Sequence, residues 1–173
     1  DAVLQLDVPL KDLKAEMTLP LYKAFGVDTD AGIVHQDEDF MTLINRMEKP
    51  EKIDFDLPED LKATLRPYQE TGYKWLKGLD HYGFGGILAD DMGLGKTLQV
   101  ISFIAGSLGE GDTKPYLVIC PSSVLYNWQK EFKQFAPGIQ TQLITGTKSE
   151  RSDCVNAAIA ENIPVWITSY PLL

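Results

Sequence analysis

The sequence predicts an α/β fold with a mainly parallel sheet, preceded by a small, acidic, partly helical N-terminal segment. Three observations predict it. From residue 84 to residue 168, apolar runs of strand length alternate with runs of helical period, the pattern of a parallel sheet with crossover helices. Tyr116-Leu117-Val118-Ile119-Cys120 is a near-continuous apolar run, typical of a buried parallel strand. Gly93-Leu94-Gly95-Lys96-Thr97 stands between an apolar run and a helical pattern, the context in which a phosphate-binding loop makes physical sense.

The chain has 173 residues and is 44% hydrophobic, enough for one globular domain with an appendage. Its first residue is Asp1 rather than methionine, so it is expected to be a fragment of a longer protein. No apolar run reaches membrane-spanning length and no signal-peptide pattern opens the chain, so no membrane partner is expected. Cys120 closes a strand-like run and reads as a small buried residue, and a reducing cytoplasm fits both it and Cys154. The expected location is the cytoplasm of a bacterial-type cell, with nucleoid association as its extension. His35 and His81 are isolated and suggest no metal site. The net charge is −9, and residues 1 to 60 carry all of it, with 15 acidic and 6 basic side chains. The remainder is neutral, so composition shows no strongly basic nucleic-acid surface, and any DNA contact would rest on local residues.

The elements are predicted in order. Val3 to Val8 alternates loosely, as a short strand might, and Lys11 to Met17 could form a helical turn stopped by Pro20. Asp28 to Gly32 is turn chemistry. Asp37 to Met47 reads as a helix, and residues 49 to 60, charged and with prolines at 50 and 58, read as a linker. The expected boundary therefore falls between an accessory segment at 1–60 and a main domain at 61–173. Pro67 suits the first position of a helix whose Tyr68, Trp75, Leu76 and Leu79 share one face. Arg66 and Gln69, taken without further context, read as ordinary surface polarity. Phe84 to Leu88 is a strand, and Leu98 to Leu108 a strongly apolar helix. After the strand at 116–120, Pro121-Ser122-Ser123 caps a helix in which Val124, Leu125, Trp128, Phe132 and Phe135 face inward. Ile139 to Ile144 is a strand, Ser149 to Ala160 a helix, Pro164 to Thr168 a fourth strand, and the chain then enters a further helix. Ligands in such sheets bind beyond the carboxyl ends of the strands, here the loops 89–97, 121–123, 145–148 and 169–171.

The loop carries its own chemistry. Gly93 and Gly95 lack Cβ atoms, so the backbone can take positive φ and approach a ligand closely. Loop N–H groups and the new helix N-terminus favour an anion. Lys96 adds a point charge suited to β- and γ-phosphates, and Thr97 a hydroxyl for a bridging Mg²⁺. The full pattern has a glycine five residues before Gly95, where this chain has Asp90. The bland alternative is a glycine-rich turn capping a helix, with Lys96 solvated.

Four stretches together resemble the SWI/SNF family of helicase-like ATPases, within helicase superfamily 2. Leu65-Arg66-Pro67-Tyr68-Gln69, with Gly72 and Trp75-Leu76, resembles the family's adenine-recognising Q motif. Asp90-Asp91-Met92-Gly93-Leu94-Gly95-Lys96-Thr97 resembles motif I letter for letter, Asp90 included. Cys120 to Leu125 with Asn127-Trp128 resembles motif Ia, and Ile167-Thr168-Ser169-Tyr170 resembles motif Ib. The resemblance covers about residues 60 to 173 and implies the front part of a RecA-like P-loop NTPase lobe, the first of two in an ATP-dependent translocase on double-stranded DNA. It implies that Gln69 and Arg66 hydrogen-bond the adenine edge, that Asp90 to Thr97 hold the nucleotide, and that Lys96 and Thr97 serve catalysis, Thr97 as the Mg²⁺ ligand. Ser122, Ser123, Thr168, Ser169 and Tyr170 would touch DNA backbone phosphates, contacts that position without reading sequence.

The family's motif II, an Asp-Glu pair, is not found after motif Ib in this sequence, nor is the second lobe. Phosphoryl transfer needs the metal ligand, a positioned water and compensating charge. The expectation is a fragment that binds nucleotide without efficient hydrolysis. A sheet edge left bare there would invite a second copy to pair. Two alternatives stand beside this reading: a non-catalytic nucleotide-binding regulatory module, and a P-loop kinase, against which the Q-like motif argues. The acidic residues 1 to 60 read as a solvated linker and small helix, or as a segment that occupies a basic DNA path elsewhere in the parent.

Overall fold

The computed structural model describes residues 55–172. The strand, turn and helix expected before residue 49 lie outside the described residues, as does the first half of the linker. The described elements are helix α1 (Pro67–His81), helix α2 (Lys96–Gly109), strand β1 (Tyr116–Cys120), helix α3 (Leu125–Phe135), strand β2 (Thr141–Leu143), helix α4 (Lys148–Ala160) and strand β3 (Val165–Ser169). Single 3-10 turns occupy Ser122–Val124 and Tyr170–Leu172.

The α/β architecture and its parallel sheet are as predicted, with three strands among the described residues where four were expected from 84 to 168. The order is β1-β3-β2, and both ladders are parallel. Tyr116 pairs with Val165 and Cys120 with Ser169, while Thr141 pairs with Val165 from the other side. Because all three strands run the same way, their carboxyl ends share one edge of the sheet.

Phe84 to Leu88 is not a strand. The segment joins no ladder, and Ile87 is 87% exposed. A strand is defined by its neighbour, and no strand among the described residues pairs with this one. Apolar content could not supply that partner.

The core lies on one face of the sheet. Val118, Cys120, Val165 and Ile167 meet Ile101 and Ile104 of α2 and Leu125 and Phe132 of α3. Leu125 and Phe132 are buried and Trp128 and Phe135 half-buried, as the helical spacing predicts. Truncating the fully buried Phe132 to alanine would cost about 3–5 kcal/mol. Tyr116–Cys120 was expected to be buried on both sides, yet Leu117 and Ile119 stand open while Val118 and Cys120 are covered.

Helix α1 packs on α2 through a face that apolar spacing does not reveal. Its buried residues are Gln69, Tyr73, Lys77, Gly78 and Leu79, whereas Tyr68 is exposed and Trp75 and Leu76 are half-covered. Lys77 is buried with partners: its Nζ donates to Ser107 Oγ at 3.1 Å and to the Glu110 carboxylate at 2.7 Å. The last linker residues are held against this pair of helices. Tyr73 Oη donates to the Asp56 carbonyl at 2.6 Å, and Lys77 Nζ lies 5.6 Å from the centre of the Phe55 ring. Helix α4 opens on a capping box, with Thr147 and Glu150 each bonding the other's backbone N–H. It closes with Asn162 at φ 52°, where the Ile163 and Asn162 amides bond back to Ala158 and Ile159.

Candidate nucleotide site

The loop between Asp90 and α2 has the geometry that its glycines allow. Gly93 has φ 85° and Gly95 has φ 79°, both left-handed conformations that disfavour any residue with a Cβ. Gly95 is the N-cap of α2, and the first turn of that helix carries no acidic side chain. Unbonded N–H groups at this end, with the helix dipole behind them, favour an anion.

Lys96 begins α2. Its ammonium donates to the Asp90 carbonyl at 2.6 Å and to the Asp91 carbonyl at 2.9 Å, so the cation folds back over its own loop. Phosphate oxygens could replace these two carbonyls without new donors being created. Thr97, one residue on, lies near Glu131 of α3. Burial pushes the Glu131 carboxyl above its ordinary range, and the neighbouring Thr97 hydroxyl acts the other way. Met92 is 96% exposed, and Asp91 and Gly93 are also open.

Gln69 is where the structure departs most from expectation. It is buried, and both ends of its amide are engaged inside the protein: Oε1 accepts from the Arg66 backbone N–H at 2.9 Å, and Nε2 donates to the Leu94 carbonyl at 3.0 Å. Tyr68 Oη donates to the same carbonyl at 3.0 Å. Gly95 makes this approach feasible, since a Cβ there would lie 2.5 Å from Gln69 Nε2. Gln69 is therefore brought to the phosphate loop, where it braces the loop, while Arg66 is exposed and meets Gln69 through its backbone.

The residues expected to face DNA divide. Ser122 and Ser123 are exposed on the turn after β1, and Tyr170 is exposed after β3. Thr168 and Ser169 are buried, and the Thr168 hydroxyl donates to the Ile144 carbonyl at 2.9 Å. Their side chains do not present themselves to a phosphate, because the last two residues of β3 are still inside the sheet.

One residue that sequence reading missed is Gln99. It is fully buried on α2, and its Nε2 donates to Asp90 Oδ2 at 2.9 Å. The signal available was a long polar side chain within the apolar run after Leu98. Among the described residues no cluster of His, Cys, Asp and Glu could hold a metal ion by itself. The fit to a magnesium nucleotide rests instead on the loop and Thr97. No described helix is long and apolar enough to cross a membrane.

Comparisons with known proteins point to one family. The profile of a family described as SNF2-related domain matches residues 68–173. The chain is 48% identical over 112 residues to the putative ATP-dependent helicase/translocase YwqA of Bacillus subtilis, covering 64% of this chain and 12% of that protein. It is 44% identical over 122 residues to helicase SWR1 of Debaryomyces hansenii, covering 69% of this chain and 8% of that one. The solved Sulfolobus solfataricus SWI2/SNF2 ATPase core in complex with dsDNA superposes with a TM-score of 0.60 at 39% identity, over 69% of this chain and 24% of that structure. The chain thus spans a small part of the length of each.

Proposed function

This chain belongs to the SNF2-related domain family, and on that premise we propose that it is the ATP-binding front part of the first RecA-like lobe of an ATP-dependent double-stranded DNA translocase. The observation that carries the reading is the loop itself: two left-handed glycines lead into a helix N-terminus whose first residue is Lys96. Such a loop suits the phosphates of a nucleotide.

In this reading Gly93 to Thr97 cradle the phosphates, with Asp90, Asp91 and Met92 forming the near wall. Lys96 exchanges its two loop carbonyls for β- and γ-phosphate oxygens. Thr97 is the residue whose hydroxyl would hold Mg²⁺, and the ion would offset phosphate charge. Adenine recognition falls to Arg66 and Gln69, Gln69 exchanging the Leu94 carbonyl for the base edge while Tyr68 keeps that carbonyl partnered. Ser122, Ser123 and Tyr170 are the exposed groups suited to DNA phosphates at the strand ends. This part of the protein binds nucleotide without hydrolysing it efficiently by itself, and the whole works in the cytoplasm.

The test is calorimetric titration of the chain with Mg²⁺ and a non-hydrolysable ATP analogue, beside Lys96→Ala. Binding by the unsubstituted chain that is lost in the variant is the expected result. Equal binding by both would remove the phosphate loop from the account. DNA-stimulated ATP turnover by this chain alone would refute the claim of inefficient hydrolysis.

A further inference from the structure

The side chain of Gln99 is fully buried, and one end of its amide does no work for the fold: among the described residues Oε1 has no hydrogen-bond partner. A buried carbonyl oxygen left without a donor is costly, and native proteins keep few of them. An apolar side chain of similar length would fill the same space without that cost. What the glutamine adds is at its other end, where Nε2 donates to Asp90 Oδ2 at 2.9 Å. That orientation is fixed by chemistry, since a carboxylate can only accept.

Asp90 stands where the general phosphate-loop pattern has glycine. Its backbone carbonyl is one of the two acceptors that hold the Lys96 ammonium, at 2.6 Å. One residue therefore meets Gln99 through its side chain and Lys96 through its main chain. The far side of the Gln99 amide is seated on α1: a Cβ built at Gly72 would collide with Gln99 Oε1. Gly72 is thus a cradle, and the Gln99 amide sits between α1 and the Asp90 end of the phosphate loop. Gln69, in the first turn of the same helix, holds the Leu94 carbonyl. The loop is pinned near both ends, and Gln99 is the pin at Asp90.

We propose that Gln99 is a positioning residue for the phosphate loop, acting through Asp90 to set where the loop carbonyls and Lys96 meet a triphosphate. It touches neither ligand nor metal. The proposal rests on the nucleotide-binding reading above. It predicts that losing the Gln99–Asp90 bond weakens the triphosphate part of binding, whereas a packing role alone would lower only the stability of the fold.

The experiment titrates the chain with the Mg²⁺ complexes of the non-hydrolysable ATP analogue and of inorganic tripolyphosphate, in parallel with urea unfolding. Gln99→Ala should bind both about tenfold more weakly, the loss of one hydrogen bond to a charged group. Gln99→Glu keeps the shape but sets carboxylate against carboxylate, and should bind more weakly still. The exchange Gln99→Glu with Asp90→Asn restores donor and acceptor in reverse, and should recover affinity to within about threefold of the unsubstituted chain. Gly72→Ala should behave as Gln99→Ala does, because its methyl expels the amide. Binding by Gln99→Ala and Gln99→Glu equal to the unsubstituted chain would overturn the proposal, as would an exchange variant that folds and recovers nothing. Where Gln99→Ala does not fold, the Gln99→Glu pair decides. No binding by the unsubstituted chain, or undiminished binding by Lys96→Ala, would overturn the nucleotide reading itself and this inference with it.

Discussion

Replacing Gly95 with alanine should damage the loop in two separable ways. The first is backbone strain: at φ 79° a Cβ crowds the carbonyl, at a cost of about 1–2 kcal/mol. The second is collision, because the new methyl would sit 2.5 Å from Gln69 Nε2 and push the amide off the Leu94 carbonyl. Tyr68 still reaches that carbonyl, so it is not orphaned, and this second effect is limited to about 1 kcal/mol. Gly93 supplies the control. Its φ is 85°, but a Cβ there meets nothing within 4 Å, so Gly93→Ala carries the strain alone. Urea unfolding of both variants should show Gly95→Ala less stable than Gly93→Ala by about 1 kcal/mol. In a Gln69→Ala background the difference should shrink to within about 0.5 kcal/mol, the limit of additivity. Equal costs for the two glycines, or a difference that survives removal of Gln69, would refute the reasoning.

Two further outcomes are expected. Burial pushes the hydroxyls of Tyr73 and Tyr116 up to about 12 each, helped by Glu110 and Asp56 at Tyr73 and by the Asp112 bond at Tyr116. Their folded values lie above the unfolded value of about 10, so the stability they contribute is intact below about pH 10 and is lost as the pH rises toward 12. The thermal midpoint should fall over that window, less steeply in Tyr116→Phe; a midpoint flat to about pH 11 would contradict it. The outer edge of β1 has no pairing strand among the described residues, and Leu117 and Ile119 stand open on that strand. A second copy pairing there should give a dimer in sedimentation that Leu117→Lys abolishes; a monomer at high concentration would rule the pairing out.

The sequence by itself determined the features that are local. The glycines at 93 and 95 announced a left-handed loop, and Lys96 and Thr97 their place at a helix start, because backbone conformation and helix capping depend on immediate neighbours. The helical spacing of Leu125, Trp128 and Phe132 showed which face α3 buries, and the apolar runs placed β1 and β3. The tertiary structure decided what depends on a partner distant in the chain. Phe84 to Leu88 has strand composition but no ladder, since hydrogen-bonded pairing needs an adjacent strand. The buried face of α1 was misread because it runs through Gln69, Tyr73 and Lys77, and polar groups satisfied by Leu94, Asp56 and Glu110 leave no apolar periodicity. Thr168 and Ser169 looked available in a motif, yet the sheet encloses them. Gln99 stood out only as a polar residue among apolar neighbours on α2, because its meaning lies in Asp90 and in the space Gly72 leaves open. A side chain's type is written in the sequence, whereas the group that satisfies it is fixed only when the helices meet.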